Sequence, residues 1–246
     1  MHHESVSVCM ACYNGEKYIE EQIASIISQL GEADELIIVD DHSSDKTGQI
    51  VKDMQEARIR YVFNEKNLGV NRSFEKAIQM AKYDYIFMAD QDDVWTKGRL
   101  EAMLRELKKG SMLVSGNSEA IDLNGDPSDY ELGALTQADS KKYGKNIFRI
   151  FTGKAYYYGC AMAFDRKLRK LVLPFPAYIE SHDLWIAMAA NLIKSNCHLE
   201  QIVLKRRIHG KNASVLQRKL SEKLYSRWIF AKSYGTLLWR LIKGEI

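Results

Sequence analysis

Three carboxylates crowd the run Asp90-Gln91-Asp92-Asp93, directly after the apolar stretch Tyr85-Ile86-Phe87-Met88-Ala89. Oxygen ligands at that density suit a divalent cation held against phosphate, and in open α/β sheets ligands collect where strands end. Acid clusters also close ordinary solvated turns, so this run alone supports either reading. Further acids stand at comparable places. Asp40-Asp41 closes Glu35-Leu36-Ile37-Ile38-Val39, and His182-Asp183 opens a helical pattern of Trp185, Ile186, Met188, Ala189 and Leu192. An acid in the first turn of a helix can simply cap it.

The elements that must position these acids follow from periodicity. Val6-Ser7-Val8-Cys9-Met10-Ala11-Cys12 predicts a strand, and Tyr13-Asn14-Gly15 its exit loop. Tyr18, Ile19, Ile23, Ile26, Ile27 and Leu30 recur at helical spacing, with Gly31 as the stop. The stretches ending at Val39 and Ala89 are apolar throughout, as strands buried on both faces are, so the pattern predicts an α/β fold with a mostly parallel sheet flanked by helices. Asn64 to Arg72 precede a helix carrying Phe74, Ala77, Ile78 and Ala81. At that N-terminus Arg72 could face a phosphate or pair with an acid. Residues 122–140 predict a long loop, and Val203 to His209 a last strand ending in a histidine.

A chain of 246 residues, 46% of them hydrophobic, suits one large α/β domain with a tail. Cys9, Cys12, Cys160 and Cys197 lack metal-ligand spacing and are expected to be reduced core residues. The formal charge of +3 is modest but uneven: from Lys205 to Ile246 there are eleven Lys or Arg against two Glu. No run reaches the ~20 apolar residues of a membrane span, and no leader pattern opens the chain, so a cytoplasmic protein is expected. Beyond residue 212, Leu220, Leu224, Trp228, Ala231, Leu238 and Ile242 follow helical spacing beside Lys219, Lys223 and Arg227. This basic amphipathic helical tail, residues 213–246, is expected to lie on an anionic membrane, pack on its own domain or join a homodimer.

Ala11-Cys12-Tyr13-Asn14-Gly15, Val39-Asp40-Asp41-His42-Ser43-Ser44-Asp45, Asn67-Leu68-Gly69 and Asp90-Gln91-Asp92-Asp93 stand in the order found in family 2 glycosyltransferases, which the chain resembles over most of its length. That resemblance implies a GT-A fold in residues 1–212, with a nucleotide half over about 1–120 and an acceptor half over about 141–212. Asp-Gln-Asp-Asp-Val-Trp and Arg207-Ile208-His209-Gly210-Lys211-Asn212 are most similar to bacterial rhamnosyltransferases of polysaccharide assembly. The implied activity is inverting, metal-dependent transfer of L-rhamnose from dTDP-rhamnose to a surface polysaccharide or lipid-linked glycan. UDP-linked hexoses and N-acetylhexosamines are alternative donors, and no nucleic-acid partner is expected.

The resemblance also distributes roles. Donor contacts fall to Ala11, Tyr13, Asn14, Glu16, Asp41, Asn67, Gly69, Arg72, Asp90 and Gln91, with Asp41 accepting the imide N–H of the base. Mg²⁺ or Mn²⁺ falls to Asp92, Asp90 and His209, with Arg206 or Arg207 adding phosphate contacts. Gly159, His182, Trp95 and Trp185 fall on the acceptor side, and Asp183 is the general base, though His182-Asp183 stands where Glu-Asp is commoner. Two other classes remain in view. A nucleotidyltransferase would want a glycine-rich first loop ending in a base, which Ala11 to Glu16 is not, and a nucleotide-sugar-binding scaffold would share the motifs without turnover.

Overall fold

A computed structural model describes residues 4–209 and 219–244. The first strand, β1 (Val6–Cys12), is buried at every position, and β2 (Glu35–Asp40) likewise. Both pair in parallel, β1 also pairs in parallel with β4 (Tyr85–Asp90), and β2 pairs with β3 (Ile59–Phe63). Helices α1 (Ile19–Ile27), α2 (Thr47–Asp53) and α3 (Val70–Met80) make the crossovers. The next elements are β5 (Val94–Trp95), α4 (Arg99–Lys108), β6 (Leu113–Ile121) and α5 (Tyr143–Thr152). The chain continues through β7 (Met162–Asp165), α6 (Leu168–Val172), α7 (His182–Leu192), β8 (Asn196–Arg207) and α8 (Leu220–Ile242).

One eight-stranded sheet runs β3-β2-β1-β4-β7-β6-β8-β5. It is mixed: β7 lies antiparallel to both β4 and β6, β5 antiparallel to β8, and β8 parallel to β6. The all-buried β1 explains why its apolar run does not alternate. Val6, Val8, Met10 and Cys12 face a core with α1 and α4, while Cys9 and Ala11 face another with α3 and α7. The free cysteines therefore sit in two separate cores, Cys9 and Cys12 on opposite faces of one strand.

Several boundaries differ from expectation. The last strand, expected over Val203 to His209, runs from Asn196 to Arg207, and β7 starts at Met162, directly after a 3-10 turn at Gly159–Ala161. The border expected at residue 212, with Gly210, Lys211 and Asn212, lies outside the described residues. The loop at 122–140 is present, pinned by an isolated bridge between Ile121 and Pro127.

Behind the sheet's second half lies a buried polar hub. Tyr157 Oη receives Asn191 Nδ2 at 3.1 Å and Asn196 Nδ2 at 2.9 Å, and lies 2.8 Å from His198 Nε2. His198 Nδ1 is 3.1 Å from the Thr136 carbonyl, which can only accept, so Nδ1 carries the proton and Nε2 accepts from Tyr157 or Asn196. Burial pushes the His198 pKa below its ordinary 6.5. We expect Tyr157→Phe to cost about 1–3 kcal/mol, because it strands these partners in the interior, read as a shifted urea midpoint. Because the unfolded chain binds a proton that folded His198 refuses, this contribution is whole above pH 6.5 and is lost as pH falls below it. The stability of His198→Gln should therefore depend less on pH between 8 and 5 than that of the wild type.

Candidate active site

The site assembles where β1, β2 and β4 end. Ala11 is the register partner of both Val39 and Asp90, so three strand ends lie side by side. Gln91 then locks the first loop: its Oε1 accepts the Tyr13 N–H at 2.7 Å and its Nε2 donates to the Tyr13 carbonyl at 3.1 Å. The Tyr13 ring is left exposed at the rim. Asn14 and Glu16 join this loop to the one after β2. Asn14 Oδ1 accepts Ser44 N–H, Glu16 Oε2 accepts Lys46 N–H, and Gly15 donates to Thr47 Oγ1.

The acids split into two directions. Asp90 and Asp93 turn toward Cys160, their ligand-type atoms all within 4.8 Å, while Asp92 turns toward His209, with Nε2 to Oδ2 at 2.7 Å. His209 is therefore paired with Asp92, and it is Asp93 and Cys160 that join Asp90. Burial, then the charges of Asp93 and Asp92, raise the Asp90 pKa; burial, then Asp92, raise that of Asp93. The Cys160 thiol is raised further, chiefly by burial, so it stays protonated and leaves the carboxylate oxygens as the ligands for a hard cation. Asp93 Oδ2 is buried with no oxygen or nitrogen donor among the described residues, and the weak Cys160 thiol is the side-chain donor to this carboxylate. A carboxylate so weakly satisfied among acids that repel one another fits Mg²⁺ or Mn²⁺.

Cations surround this group. Arg99 lies fully buried beneath it, donating to the carbonyls of Met88 and Cys160 and stacking on Trp95 at 4.1 Å. Burial lowers Arg99 to about 9, which still leaves it charged at neutral pH. Arg206 lies over the Tyr158 ring at 4.3 Å and feels both Asp90 and Asp93. Arg207 is not open to phosphate: it is buried and bonded to the Asp92 and Asp122 carbonyls and to Glu21. Sequence reasoning missed Arg99, yet Arg99, Met103 and Leu107 share one helical stripe, so an arginine on an apolar face was the available signal.

Asp41, expected to read a base, is instead filled by the protein. It accepts Leu68 N–H and Gly69 N–H, each at 2.8 Å, and Asn64 Nδ2 at 2.9 Å, while Asn67 Nδ2 donates to its carbonyl. Burial raises its pKa, but these bonds and one from Ser73 outweigh it and hold the carboxyl below the usual range. Asn67 and Gly69 thus form the loop that Asp41 organises, and Gly69 takes φ +86°, a conformation glycine tolerates. Arg72 is the acid-paired arginine: it bonds to Glu75 and donates to the Phe175 carbonyl at 3.0 Å, holding residues 173–179 instead of a phosphate.

Asp183 comes from the opposite wall. Its Oδ1 accepts Leu184 N–H at 2.7 Å and the Ser181 hydroxyl, its Oδ2 accepts Gly159 N–H at 3.3 Å, and it lies close enough to add to the raised pKa of Asp90. Gly159 is a close-contact point within the protein, since a Cβ there would stand 2.7 Å from His182 Nε2 and 3.3 Å from Asp183 Cβ. His182 is buried against Phe74, its ring centroid 4.3 Å away, and bonded to Asn71, so it positions Asp183 from below and does not line an open surface. The two tryptophans are not acceptor walls. Trp95 packs on Phe87 and Arg99, and Trp185 is core, donating from Nε1 to the Val172 carbonyl.

Known proteins share this fold. TarS of S. aureus, solved with UDP-GlcNAc, matches with a TM-score of 0.70 at 20% identity over 93% of this chain and 66% of that one. An uncharacterized glycosyltransferase of Methanocaldococcus jannaschii is 33% identical over 230 residues, 90% of this chain and 76% of the relative. The UDP-Glc:alpha-D-GlcNAc-diphosphoundecaprenol beta-1,3-glucosyltransferase of Escherichia coli is 28% identical over 78% of this chain and 73% of its own length. With the model of "Glycosyl transferase family 2" matching residues 7–172, from the first strand through the acid cluster to α6, the chain belongs to that family.

Proposed function

We propose that this glycosyltransferase transfers one sugar, with inversion, from a nucleoside diphosphate sugar to a glycan or lipid-linked acceptor. The observation that carries the reading is Asp183, held by Gly159 and Leu184 N–H groups within electrostatic reach of Asp90. Donor diphosphate would lie by the acids and the free acceptor hydroxyl by Asp183. Asp183 Oδ2, which has a single long bond from the protein, takes the hydroxyl proton as that oxygen attacks the anomeric carbon on the face opposite the leaving diphosphate. Asp90 and Asp93, with Asp92 turned from His209 toward them, would hold Mg²⁺ or Mn²⁺, which when bound supplies Lewis-acid neutralisation of the departing diphosphate. Arg206 adds positive charge on the same side, and Tyr13, fixed by Gln91, offers its exposed ring to the base.

Two donors compete. The Asp-Gln-Asp-Asp-Val-Trp run supports dTDP-L-rhamnose, whereas the E. coli relative and TarS carry UDP-glucose and UDP-GlcNAc in their descriptions. None of the relatives compared is described as a rhamnosyltransferase, so a UDP-linked hexose or N-acetylhexosamine is the donor we favour. Because Asp41 is committed to its own loop, base choice rests on Tyr13 and the backbone around it.

Asp183→Asn is expected to lower kcat about 10²–10⁴-fold with little change in nucleotide affinity, the loss of a general base alone; full turnover in this variant would remove the assignment. Nucleotide binding is read separately by thermal shift. UDP with Mn²⁺ should raise the Tm more than UDP with chelator, the excess should vanish in Asp92→Asn, and dTDP should do less. A larger shift with dTDP would restore the rhamnose donor, and no shift with any nucleotide would favour a scaffold role.

A further inference from the structure

The 23-residue helix α8 is held along one broad side, whose borders reach Arg227, bonded to the Thr152 carbonyl at 2.8 Å, and Thr236, whose Oγ1 lies 2.6 Å from Tyr178 Oη. Ser226 bonds to Glu180, Arg240 donates to the carbonyls of Leu171 and Pro174, and Ile229, Phe230 and Leu237 are buried. These positions recur every three to four residues and so form one face. The opposite face carries Leu224, Tyr225, Trp228, Leu238, Trp239 and Ile242, all exposed: Trp228 is 56% accessible, Trp239 53% and Ile242 85%. At 100° per residue these six fall within about a 140° arc, and they extend roughly 27 Å along the axis. They form two clusters, Leu224-Tyr225-Trp228 and Leu238-Trp239-Ile242, with Ala231, Lys232 and Gly235 between them, and a soluble surface seldom aligns two such clusters on one helix face without an occupant.

The flanks identify the occupant. Lys232 Nζ stands 5.2 Å from the Trp228 ring and 4.2 Å from that of Tyr178, and Lys243 Nζ 3.9 Å from that of Trp239, while exposed Lys223 lies on the other border beside Arg227, which also donates to the Thr152 carbonyl. Across 219–244 there are six Lys or Arg against the single Glu222. Indoles and phenols beside lysine stems match the boundary between acyl chains and headgroups, where rings bury and ammoniums reach phosphate. No described helix is long and apolar enough to cross a membrane, so α8 would lie in the plane of the interface. A twofold contact through the same strip would instead bring two rows of like charge together.

We infer that the outer face of α8 docks the protein on an anionic lipid bilayer. The consequence reaches the site, because Ser226 on this helix holds Glu180, three residues before Asp183. The inference does not depend on which donor or acceptor is used.

Flotation of the full chain with phosphatidylcholine vesicles, with and without phosphatidylglycerol, tests it. The wild type should partition onto the anionic vesicles at least about tenfold better than onto the neutral ones and be released by high salt, since surface charges are screened there. Trp228→Ser/Trp239→Ser should lose at least about tenfold of that partitioning, with an unchanged Tm because both rings are more than half exposed. Leu224→Ser/Ile242→Ser, at two still more exposed positions, should behave alike and covers the case in which the first variant misfolds. Equal binding by the folded variants, or no anionic preference, overturns the inference. A wild type that is dimeric by analytical ultracentrifugation and becomes monomeric in either variant overturns it too, assigning the face to a second copy.

Discussion

Like-charge repulsion at the end of β4 is the constraint on which the site depends. At an effective dielectric near 20, two carboxylates about 4 Å apart repel by about 4 kcal/mol, and here three follow within four residues. The fold answers with groups from separate elements: the guanidinium groups of Arg99 from α4 below and Arg206 from β8 beside Tyr158, and the His209 ring bonded to Asp92. Yet these are partly committed elsewhere. Arg99 spends its bonds on two carbonyls and Arg207 on the backbone around the cluster. The cluster is thus braced without being neutralised, and Asp93 keeps an oxygen with no oxygen or nitrogen donor among the described residues. A site left with surplus negative charge and nearby guanidinium groups can take up a cation and a diphosphate together, which neither element alone would favour.

Local pattern carried the nucleotide half of the fold. Continuous apolar strands at Val6–Cys12, Glu35–Asp40 and Tyr85–Asp90, with helices between, were legible because both the period and the loop residues are local. What failed was long-range. Trp95 and Trp185 stand next to acids in sequence, which suggested a ligand wall, but their rings point into the two cores. Arg72 was left open between a phosphate and an acid: its acid, Glu75, is local, but its second partner, the Phe175 carbonyl, lies about a hundred residues away. Asp41 looked like a base reader because nothing local says that the loop at Asn64 to Gly69 folds back onto it. Within the mostly parallel sheet that was expected, the antiparallel members β7 and β5 were not legible, since no period encodes their pairings.

The tail shows a subtler limit. Periodicity found an apolar stripe through Leu224, Trp228, Leu238 and Ile242, and an apolar stripe ordinarily marks the inward face. In α8 it marks the outward one, and the inward face is held by a mixed set including Ser226, Ser233 and Arg240. Arg240 can be buried there because its guanidinium serves the carbonyls of Leu171 and Pro174 and lies over Trp185. Both faces of α8 are thus partly apolar, the inward one through Ile229, Phe230 and Leu237, so periodicity left the inward side open, and the buried polar groups beside these residues are satisfied there.

That packing has a consequence for catalysis through Gly159. With no side chain there, the α7 N-terminus closes to within contact of the turn at Gly159–Ala161, and the Asp183 carboxylate reaches a backbone N–H across the gap. Asn71 fixes the other side of the same terminus through His182 and Ile179. The third support is Glu180, bonded to Ser226 of α8. The candidate base is therefore held by three separate parts of the chain: the donor-side helix α3, the turn before β7, and the helix whose outer face is apolar and basic. The helix that bears this outer face thus meets the chain of the candidate base directly, through the Ser226–Glu180 contact and the three residues from Glu180 to Asp183.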